Sequence, residues 1–255
     1  PSEAQLAQTE NLRLLQLTWA GADKYTRMEN LPQSVVLANA SGAFGTIIAE
    51  YAIGSLVALY RSFGRYWSNK QAHIWQKYDH AETISGKTAL VLGMGDIGAN
   101  VARRLKVFGA AVLGVKRTAV STVPEDFEEA HTLDALDALL PRADIVIGCL
   151  PNTRETAGLL TAERLHAMKA GAVLVNVGRG SLAGTDDLVS ALQDGHLGGA
   201  ALDVFETEPL PADCPLWDME NVLLTPHIAG PSFGGSADVQ NTIWHICMDN
   251  LERYL

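Results

Sequence analysis

One glycine-rich segment has residue types and spacing that could bind a phosphate. Gly93-Met94-Gly95-Asp96-Ile97-Gly98 follows an apolar run typical of a buried strand and opens a helical pattern. In such a unit the first glycine allows a tight turn, the second lets the backbone approach a pyrophosphate, and the third lets helix and strand pack closely. The helix N-terminus faces the anion. The segment therefore predicts a dinucleotide-binding site that includes Gly93, Gly95, Asp96, Ile97 and Gly98.

The end of the next predicted strand indicates which dinucleotide is bound. The strand Ala111 to Val115 is followed by Lys116-Arg117-Thr118. An NAD site usually places an acidic residue about 20 residues after the glycines, where it accepts hydrogen bonds from the ribose hydroxyls. Two cations and a hydroxyl at this point could instead hold a 2′-phosphate. We therefore expect NADP(H) to be preferred, with NAD(H) as the alternative if the basic cluster is only a solvated strand end.

The elements that must position these residues follow an alternating pattern from Lys87 onward. Short apolar runs alternate with helical patterns, which is typical of parallel strands joined by helical crossovers. The strand interiors are continuously apolar, as expected when both faces of a sheet are covered. Strands are predicted at Thr88 to Leu92, Ala111 to Val115, Ile145 to Cys149, Val173 to Val177, Ala200 to Val204 and Val222 to Leu224; helices are predicted at Ile97 to Phe108, Leu133 to Leu139, Ala162 to Met168 and Asp186 to Gln193.

The amino-terminal part has a different pattern. Leu12 to Leu17 and Ser34 to Leu37 are predicted strands, and Thr46 to Phe63 is a predicted apolar helix. The polar stretch from Tyr66 to Ser85 predicts a domain hinge, and the helical pattern from Gly234 to Leu255 is expected to cross back to the first domain. We therefore predict a substrate domain at residues 1–77 and 232–255, and a dinucleotide-binding domain at residues 78–231.

Composition excludes several classes of protein. The chain has 255 residues, of which 47% are hydrophobic, and a formal net charge of −10. Disorder is therefore not expected, and neither nucleic acid nor an anionic membrane is an expected partner. Cys149, Cys214 and Cys247 are too scattered for a disulfide framework, which predicts free thiols and a cytoplasmic location. The histidines lack metal-ligand spacing, so no metal site is predicted.

Several ordered segments make the sequence similar to the D-isomer-specific 2-hydroxyacid dehydrogenases, and most similar to their glyoxylate/hydroxypyruvate reductase branch. The resemblance runs from about Asn11 to the end of the chain. The segments that carry it are Trp19-Ala20-Gly21-Ala22-Asp23, Ala49-Glu50-Tyr51, the Gly93 to Gly98 segment, Cys149-Leu150-Pro151-Asn152-Thr153, Asn176-Val177-Gly178-Arg179-Gly180, Leu202-Asp203-Val204-Phe205, Glu208-Pro209 and Thr225-Pro226-His227.

The resemblance implies a set of three catalytic residues. Arg179 matches the family's catalytic arginine, whose planar fork suits a 2-oxo carboxylate. His227 matches the proton donor, and Glu208 matches the acid that favours the imidazolium and orients the ring. Glu206 is a competing partner for the histidine, but Glu208 occupies the family's Glu-Pro position. All three residues lie just beyond predicted strand ends, where open α/β sheets bind their ligands.

The resemblance also implies further binding positions. Ala20 and Gly21 match the substrate loop, whose backbone N–H groups bind the carboxylate, while Arg179 and His227 complete the substrate site. Asp203 is expected to accept a hydrogen bond from the nicotinamide carboxamide. The remaining positions expected near the cofactor are Leu150, Pro151, Thr153, Val177 and Gly230.

The expected fold is α/β, with a Rossmann-type doubly wound parallel sheet and a smaller, flavodoxin-like substrate domain that is incomplete at its amino end. The expected reaction is hydride transfer from NADPH to a small 2-keto acid such as glyoxylate or hydroxypyruvate, in a cleft between the domains of a homodimer. Two alternatives are NAD-dependent oxidation of a D-2-hydroxy acid, as in phosphoglycerate dehydrogenases, and a dinucleotide-sensing protein similar to a corepressor.

Overall fold

A computed structural model describes residues 1–6, 8–28, 31–79, 81–231 and 236–255. The α-helices in these ranges are α1 (Glu3–Leu6), α2 (Asp23–Thr26), α3 (Gly45–Tyr60), α4 (Phe63–Gln71), α5 (Asp96–Val107), α6 (Leu136–Leu139), α7 (Ala162–Ala167), α8 (Thr185–Gln193) and α9 (Ala237–Tyr254). The strands are β1 (Leu14–Gln16), β2 (Val36–Ala38), β3 (Thr88–Leu92), β4 (Ala111–Lys116), β5 (Glu129–Thr132), β6 (Ile145–Gly148), β7 (Ala172–Asn176), β8 (Leu197–Leu202) and β9 (Val222–Leu224).

The chain forms two compact units. Unit 1 contains residues 1–44 and 230–255, and unit 2 contains residues 45–229. The predicted boundary between residues 77 and 78 is therefore wrong, because α3 packs against α5 and against β7, β8 and β9 within unit 2. Helix α3 buries Ile48, Ala52 and Leu56 in these contacts. The second predicted boundary, between residues 231 and 232, differs from the observed one by only two positions.

Unit 2 contains a parallel sheet that brings the predicted site residues to one edge. Within the described residues the strand order is β5-β4-β3-β6-β7-β8-β9, and every neighbouring pair is parallel. The central strands are buried throughout, with Leu90, Leu92, Ile145 and Ile147 at 0% exposure. Each such side chain contributes about 1.5–3 kcal/mol on burial. The strand order reverses between β3 and β6, so the predicted Rossmann-type doubly wound sheet is confirmed.

Two elements of unit 2 are absent from the sequence prediction. Strand β5 has the sequence Glu-Ala-His-Thr, and its polar residues hide the apolar pattern of a strand because β5 lies at the edge of the sheet. Helix α4 begins at Phe63 and overlaps the start of the stretch from Tyr66 to Ser85 that is predicted to be a hinge. None of its side chains is buried, so its sequence lacks the row of apolar residues that marks a helix packed on a core.

Unit 1 contains the parallel pair β1 and β2. Helix α9 packs on β1, and the side-chain amide of Asn250 donates to Gln16 Oε1 and to the carbonyl of Asn39, both at 3.0 Å. The predicted return of the carboxyl-terminal helix to the amino-terminal part is therefore confirmed. No helix in the described ranges is long and apolar enough to cross a membrane.

Candidate active site

The glycine loop after β3 has the backbone geometry that its sequence predicts. Gly93 has φ of +106°, and a Cβ there would lie 2.9 Å from the Cys149 carbonyl oxygen. A Cβ at Gly98 would overlap the carbonyl oxygen of Gly93. Gly95, by contrast, has open space where a Cβ would stand, and it caps the N-terminus of α5. The first and third glycines are therefore required by the turn, while the second leaves room for a ligand beside free helix N–H groups.

A second loop lies against the glycine loop at the point where the strand order reverses. This loop follows β6 and contains Leu150, which is buried, and Pro151 and Thr153, which are more exposed. The buried hydroxyl of Thr156 accepts from the Thr153 N–H at 2.9 Å and donates to the Pro151 carbonyl at 2.5 Å. Sequence reasoning missed Thr156, whose role in closing this loop depends on geometry that spacing does not encode.

The predicted basic cluster lies at the carboxyl end of β4. Leu92 pairs with Val115 across β3 and β4, so Lys116 and Gly93 stand at the same level of the sheet. Arg117 and Thr118 follow and are exposed. Within the described ranges, the side chains of Lys116 and Arg117 have no ion-pair or hydrogen-bond partner. Phosphate binding by Lys116, Arg117 and Thr118 stays a prediction.

The turn after β7 carries Arg179. Asn176 is 2% exposed; its side-chain oxygen accepts from the Gly178 N–H at 3.2 Å, and its amide donates to the Arg179 carbonyl at 2.9 Å. The Arg179 guanidinium donates to the Gly178 carbonyl at 2.7 Å. The buried Val177 continues the strand by donating its N–H to the Gly148 carbonyl. Asn176 thus shapes the turn as an Asx residue does, a role that the sequence prediction missed.

The histidine and its carboxylate partner meet at the end of the sheet. His227 Nδ1 lies 2.9 Å from Glu208 Oε2, and the Phe205 N–H donates to Glu208 Oε1 at 3.0 Å. Glu206 instead accepts from the Thr185 N–H. The structure therefore brings Glu208, not Glu206, to the histidine. In the described part of the chain, His227 Nε2 has no protein partner, and the ring is 48% exposed.

Asp203 holds the segment that carries His227. The carboxylate is 1% exposed; Oδ1 accepts from Thr225 Oγ1 at 2.6 Å and from the Ile228 N–H at 2.8 Å, while Oδ2 accepts from the Ala229 N–H at 2.9 Å. Its main contacts are therefore structural. The expected hydrogen bond to a nicotinamide carboxamide stays a prediction.

Topology places the three predicted catalytic residues along one edge. Arg179 follows β7, Glu208 follows β8 and His227 follows β9, and these are neighbouring parallel strands. Gly180 packs so closely on the Phe205 backbone that a Cβ would overlap it, so the Arg179 turn touches the segment that anchors Glu208. Burial raises the pKa of the nearby Cys149 thiol to about 12, which leaves it protonated. The arrangement favours anion binding and proton transfer over thiolate chemistry.

The remaining predicted positions belong to unit 1. Ala20 and Gly21 lie in the loop after β1, where the Ala20 carbonyl accepts from the Asn39 amide at 2.7 Å. Gly230 follows Ala229 at the beginning of the second segment of unit 1. Substrate binding by the first two and cofactor binding by Gly230 stay predictions.

Comparison with known proteins agrees with this geometry. The family model described as D-isomer specific 2-hydroxyacid dehydrogenase, NAD binding domain, matches residues 53–229. The glyoxylate reductase of Thermofilum pendens is 35% identical over an alignment of 227 positions, which covers 86% of this chain and 66% of that protein. The chain thus spans about two thirds of the length of this relative.

Two solved structures have closely similar backbones. A D-isomer specific 2-hydroxyacid dehydrogenase from Xanthobacter autotrophicus Py2, in complex with NADPH and MES, has a TM-score of 0.85 at 34% identity, covering 99% of this chain and 78% of that one. An NADPH-dependent glyoxylate/hydroxypyruvate reductase from Sinorhizobium meliloti, in complex with NADP and sulfate, has a TM-score of 0.82 at 30% identity, covering 95% of this chain and 75% of that one. The resemblance that the sequence motifs indicate is confirmed, and the chain belongs to the D-isomer specific 2-hydroxyacid dehydrogenase family.

Proposed function

We propose that this protein reduces a small 2-keto acid, such as glyoxylate or hydroxypyruvate, to the 2-hydroxy acid, with NADPH as the hydride donor. Where C2 becomes a stereocentre, the product is the D-isomer. The observation that carries the proposal is the His227 and Glu208 pair, at 2.9 Å, on the sheet edge that also carries Arg179 and the glycine loop. A proton donor, a cation for the carboxylate and a dinucleotide loop are the groups that this reaction requires.

The residues at the carboxyl edge of β3 and β4 fit the dinucleotide. The open backbone at Gly95 and the first N–H groups of α5 would hold the pyrophosphate, and Lys116, Arg117 and Thr118 would hold the 2′-phosphate. Leu150, Pro151 and Thr153 would border the adenosine half of the molecule. When bound, NADPH supplies the hydride that reaches C2 of the keto acid.

The chain's own residues then bind and protonate the substrate. Arg179 would hold the carboxylate and polarise the keto oxygen. Glu208 accepts from Nδ1 of His227, so the proton on Nε2 of the imidazolium is the one that moves to the developing alkoxide oxygen. The transfer leaves the histidine neutral and converts the alkoxide on C2 to the hydroxyl group of the product.

A panel of 2-keto acids assayed by the absorbance of NADPH tests the proposal. We expect turnover with glyoxylate and hydroxypyruvate, and slower turnover with pyruvate and with branched or aromatic keto acids. Hydroxypyruvate should yield D-glycerate, which chiral chromatography identifies. Turnover of no keto acid, or of bulky keto acids alone, would contradict the proposal.

The cofactor preference gives a separate prediction. Replacing both Lys116 and Arg117 with alanine is expected to lower kcat/KM for NADPH by about 10- to 100-fold, the effect of losing charge-assisted hydrogen bonds to one phosphate. The value for NADH should change by less than about twofold, because NADH has no 2′-phosphate. Steady-state kinetics with both cofactors measures the difference.

Lys169→Ala is the matched charge control, since this lysine pairs with Asp144 before β6, at the opposite edge of the sheet. It should leave both values near those of the wild type. An equal loss with NADPH and NADH in the double variant, or a wild-type preference for NADH, would show that the basic cluster does not select the cofactor.

The proposal includes a cytoplasmic homodimer. The apolar helix α3 packs within unit 2, so the support for a dimer must come from another surface. Support comes from exposed aromatic side chains in and after α4, among them Trp67 at 63% and Trp75 at 98% exposure. Sedimentation velocity measures the assembly, and a monomeric mass would contradict this part of the proposal.

A further inference from the structure

A chain of hydrogen bonds within unit 2 connects α3 with the segment that carries His227. The hydroxyl of Tyr51, on α3, lies 2.5 Å from Thr225 Oγ1. Thr225 Oγ1 in turn lies 2.6 Å from Asp203 Oδ1. The same carboxylate accepts from the N–H groups of Ile228 and Ala229, directly after the histidine.

The direction of these hydrogen bonds follows from the chemistry of the groups. An ionised carboxylate only accepts, so the single hydroxyl proton of Thr225 is directed to Asp203. Tyr51 must then donate to Thr225. Burial raises the pKa of Tyr51 above its ordinary value, with a smaller contribution from the charge of Asp203, so the phenol keeps the proton that it donates. The buried carboxylate thus accepts from the Thr225 hydroxyl and from the Ile228 and Ala229 N–H groups.

His227 needs this support because of its backbone conformation. Its φ is +55°, in the left-handed region that side-chain-bearing residues rarely adopt. Its own N–H donates to the backbone carbonyls of Asp203 and Thr225, at 2.8 and 3.0 Å. The strained residue therefore lies between Thr225 and Ile228, both of which donate to Asp203. A residue that relaxed to negative φ would turn its ring away from Glu208.

We propose that Tyr51 is a positioning residue, which acts through Thr225 and Asp203 to hold His227 in the left-handed conformation that directs Nδ1 to Glu208. The inference rests on the proposed function, because the conformation matters for catalysis only if His227 is the proton donor. Tyr51 bonds to Thr225 and acts on His227 only through that residue and Asp203, so we expect its effect in the proton-transfer step and not in substrate binding.

Tyr51→Phe tests this with the loss of one hydroxyl. We expect kcat for hydroxypyruvate to fall by about three- to tenfold, the effect of one neutral hydrogen bond. KM for hydroxypyruvate and for NADPH should stay within about twofold. Tyr60→Phe is the matched control: it removes the same group from the same helix, and in the described residues the Tyr60 hydroxyl has no hydrogen bond. It should leave kcat unchanged.

Two substitutions of Thr225 grade the effect. Thr225→Val leaves the buried Asp203 without one donor and should lower kcat by about 10- to 100-fold. Thr225→Ser keeps the hydroxyl and should rescue kcat to within about threefold of the wild type. An unchanged kcat in Tyr51→Phe, or a serine variant as slow as the valine variant, would overturn the proposal.

A second readout does not depend on turnover. In protein labelled with ¹⁵N-histidine, the ring nitrogen shifts of His227 report its tautomer and its hydrogen bond to Glu208, and His227→Gln assigns them. Tyr51→Phe and Thr225→Val should shift these signals, whereas Tyr60→Phe should not. Unchanged His227 ring nitrogen shifts in Tyr51→Phe and Thr225→Val would overturn the proposal. If these shifts change but the wild-type protein reduces no keto acid, the positioning role of Tyr51 is supported and the proposed function is refuted.

Discussion

His227→Gln is expected to lower kcat for 2-keto acid reduction by about 10²- to 10⁴-fold, the contribution of a positioned general acid. Glutamine keeps a polar side chain of similar length but cannot release a proton to the alkoxide. KM for the keto acid should change little, because the carboxylate is assigned to Arg179. Steady-state kinetics at saturating NADPH measures both values.

Three further variants of histidine and carboxylate residues control this result. His166 also pairs with a carboxylate, since its Nε2 lies 2.8 Å from Asp194 Oδ2, but it lies on α7, so His166→Gln should leave kcat unchanged. Glu208→Gln should lower kcat by about 10- to 100-fold, since the ring loses its charged anchor. Glu206→Gln should have no effect, because Glu206 contacts the Thr185 N–H instead. A His227→Gln protein within tenfold of the wild-type kcat would remove this residue from the mechanism.

Arg179→Ala is expected to lower kcat/KM for the keto acid by about 10²- to 10³-fold. The substrate carboxylate would lose its charged partner, a loss of about 2–5 kcal/mol for a desolvated charge pair. KM should rise because the arginine binds the substrate in the ground state. The value of kcat should fall because the arginine also polarises the keto oxygen. Arg179→Lys should recover only part of the loss, since a lysine cannot form the bidentate contact.

Arg142 provides the matched control for this arginine. It grips Glu129 with two nitrogens, at 3.0 and 2.6 Å, and it precedes β6, at the opposite edge of the sheet from Arg179. Arg142→Ala should therefore leave kcat/KM unchanged. If Arg179→Ala affects kcat/KM no more than Arg142→Ala does, another group binds the carboxylate.

The sequence predicts the central sheet well because its strands are buried on both faces. Their apolar runs, the glycines between them and the alternation with helices all arise from the same physical requirement. The edge strand β5 and the exposed helix α4 are not buried on both sides. Their sequences therefore lack the apolar pattern from which a strand or helix is predicted. The domain boundary is misplaced for a related reason: α3 is apolar on most of its surface, and periodicity alone does not identify which unit it packs against.

The catalytic residues are predicted from the order of motifs along the chain. The residues whose roles the sequence does not predict act through hydrogen bonds. Arg179, Glu208 and His227 are recognisable because each follows a strand within a known series. Asn176 and Thr156 form several hydrogen bonds within their own loops, which residue spacing does not reveal. Tyr51 bonds to Thr225, which is distant in the sequence and is brought close only by the fold. Asp203 is recognised, but its burial among three donors is visible only in the structure.

Isotope transfer tests the central claim most directly. Hydroxypyruvate should be incubated with the protein and with NADPH that carries deuterium at both C4 positions of the dihydronicotinamide. The product should be analysed by mass spectrometry and chiral chromatography. The proposed reaction predicts D-glycerate with one deuterium at C2. Glycerate without deuterium at C2, the L-isomer, or no reduced product at all would contradict it.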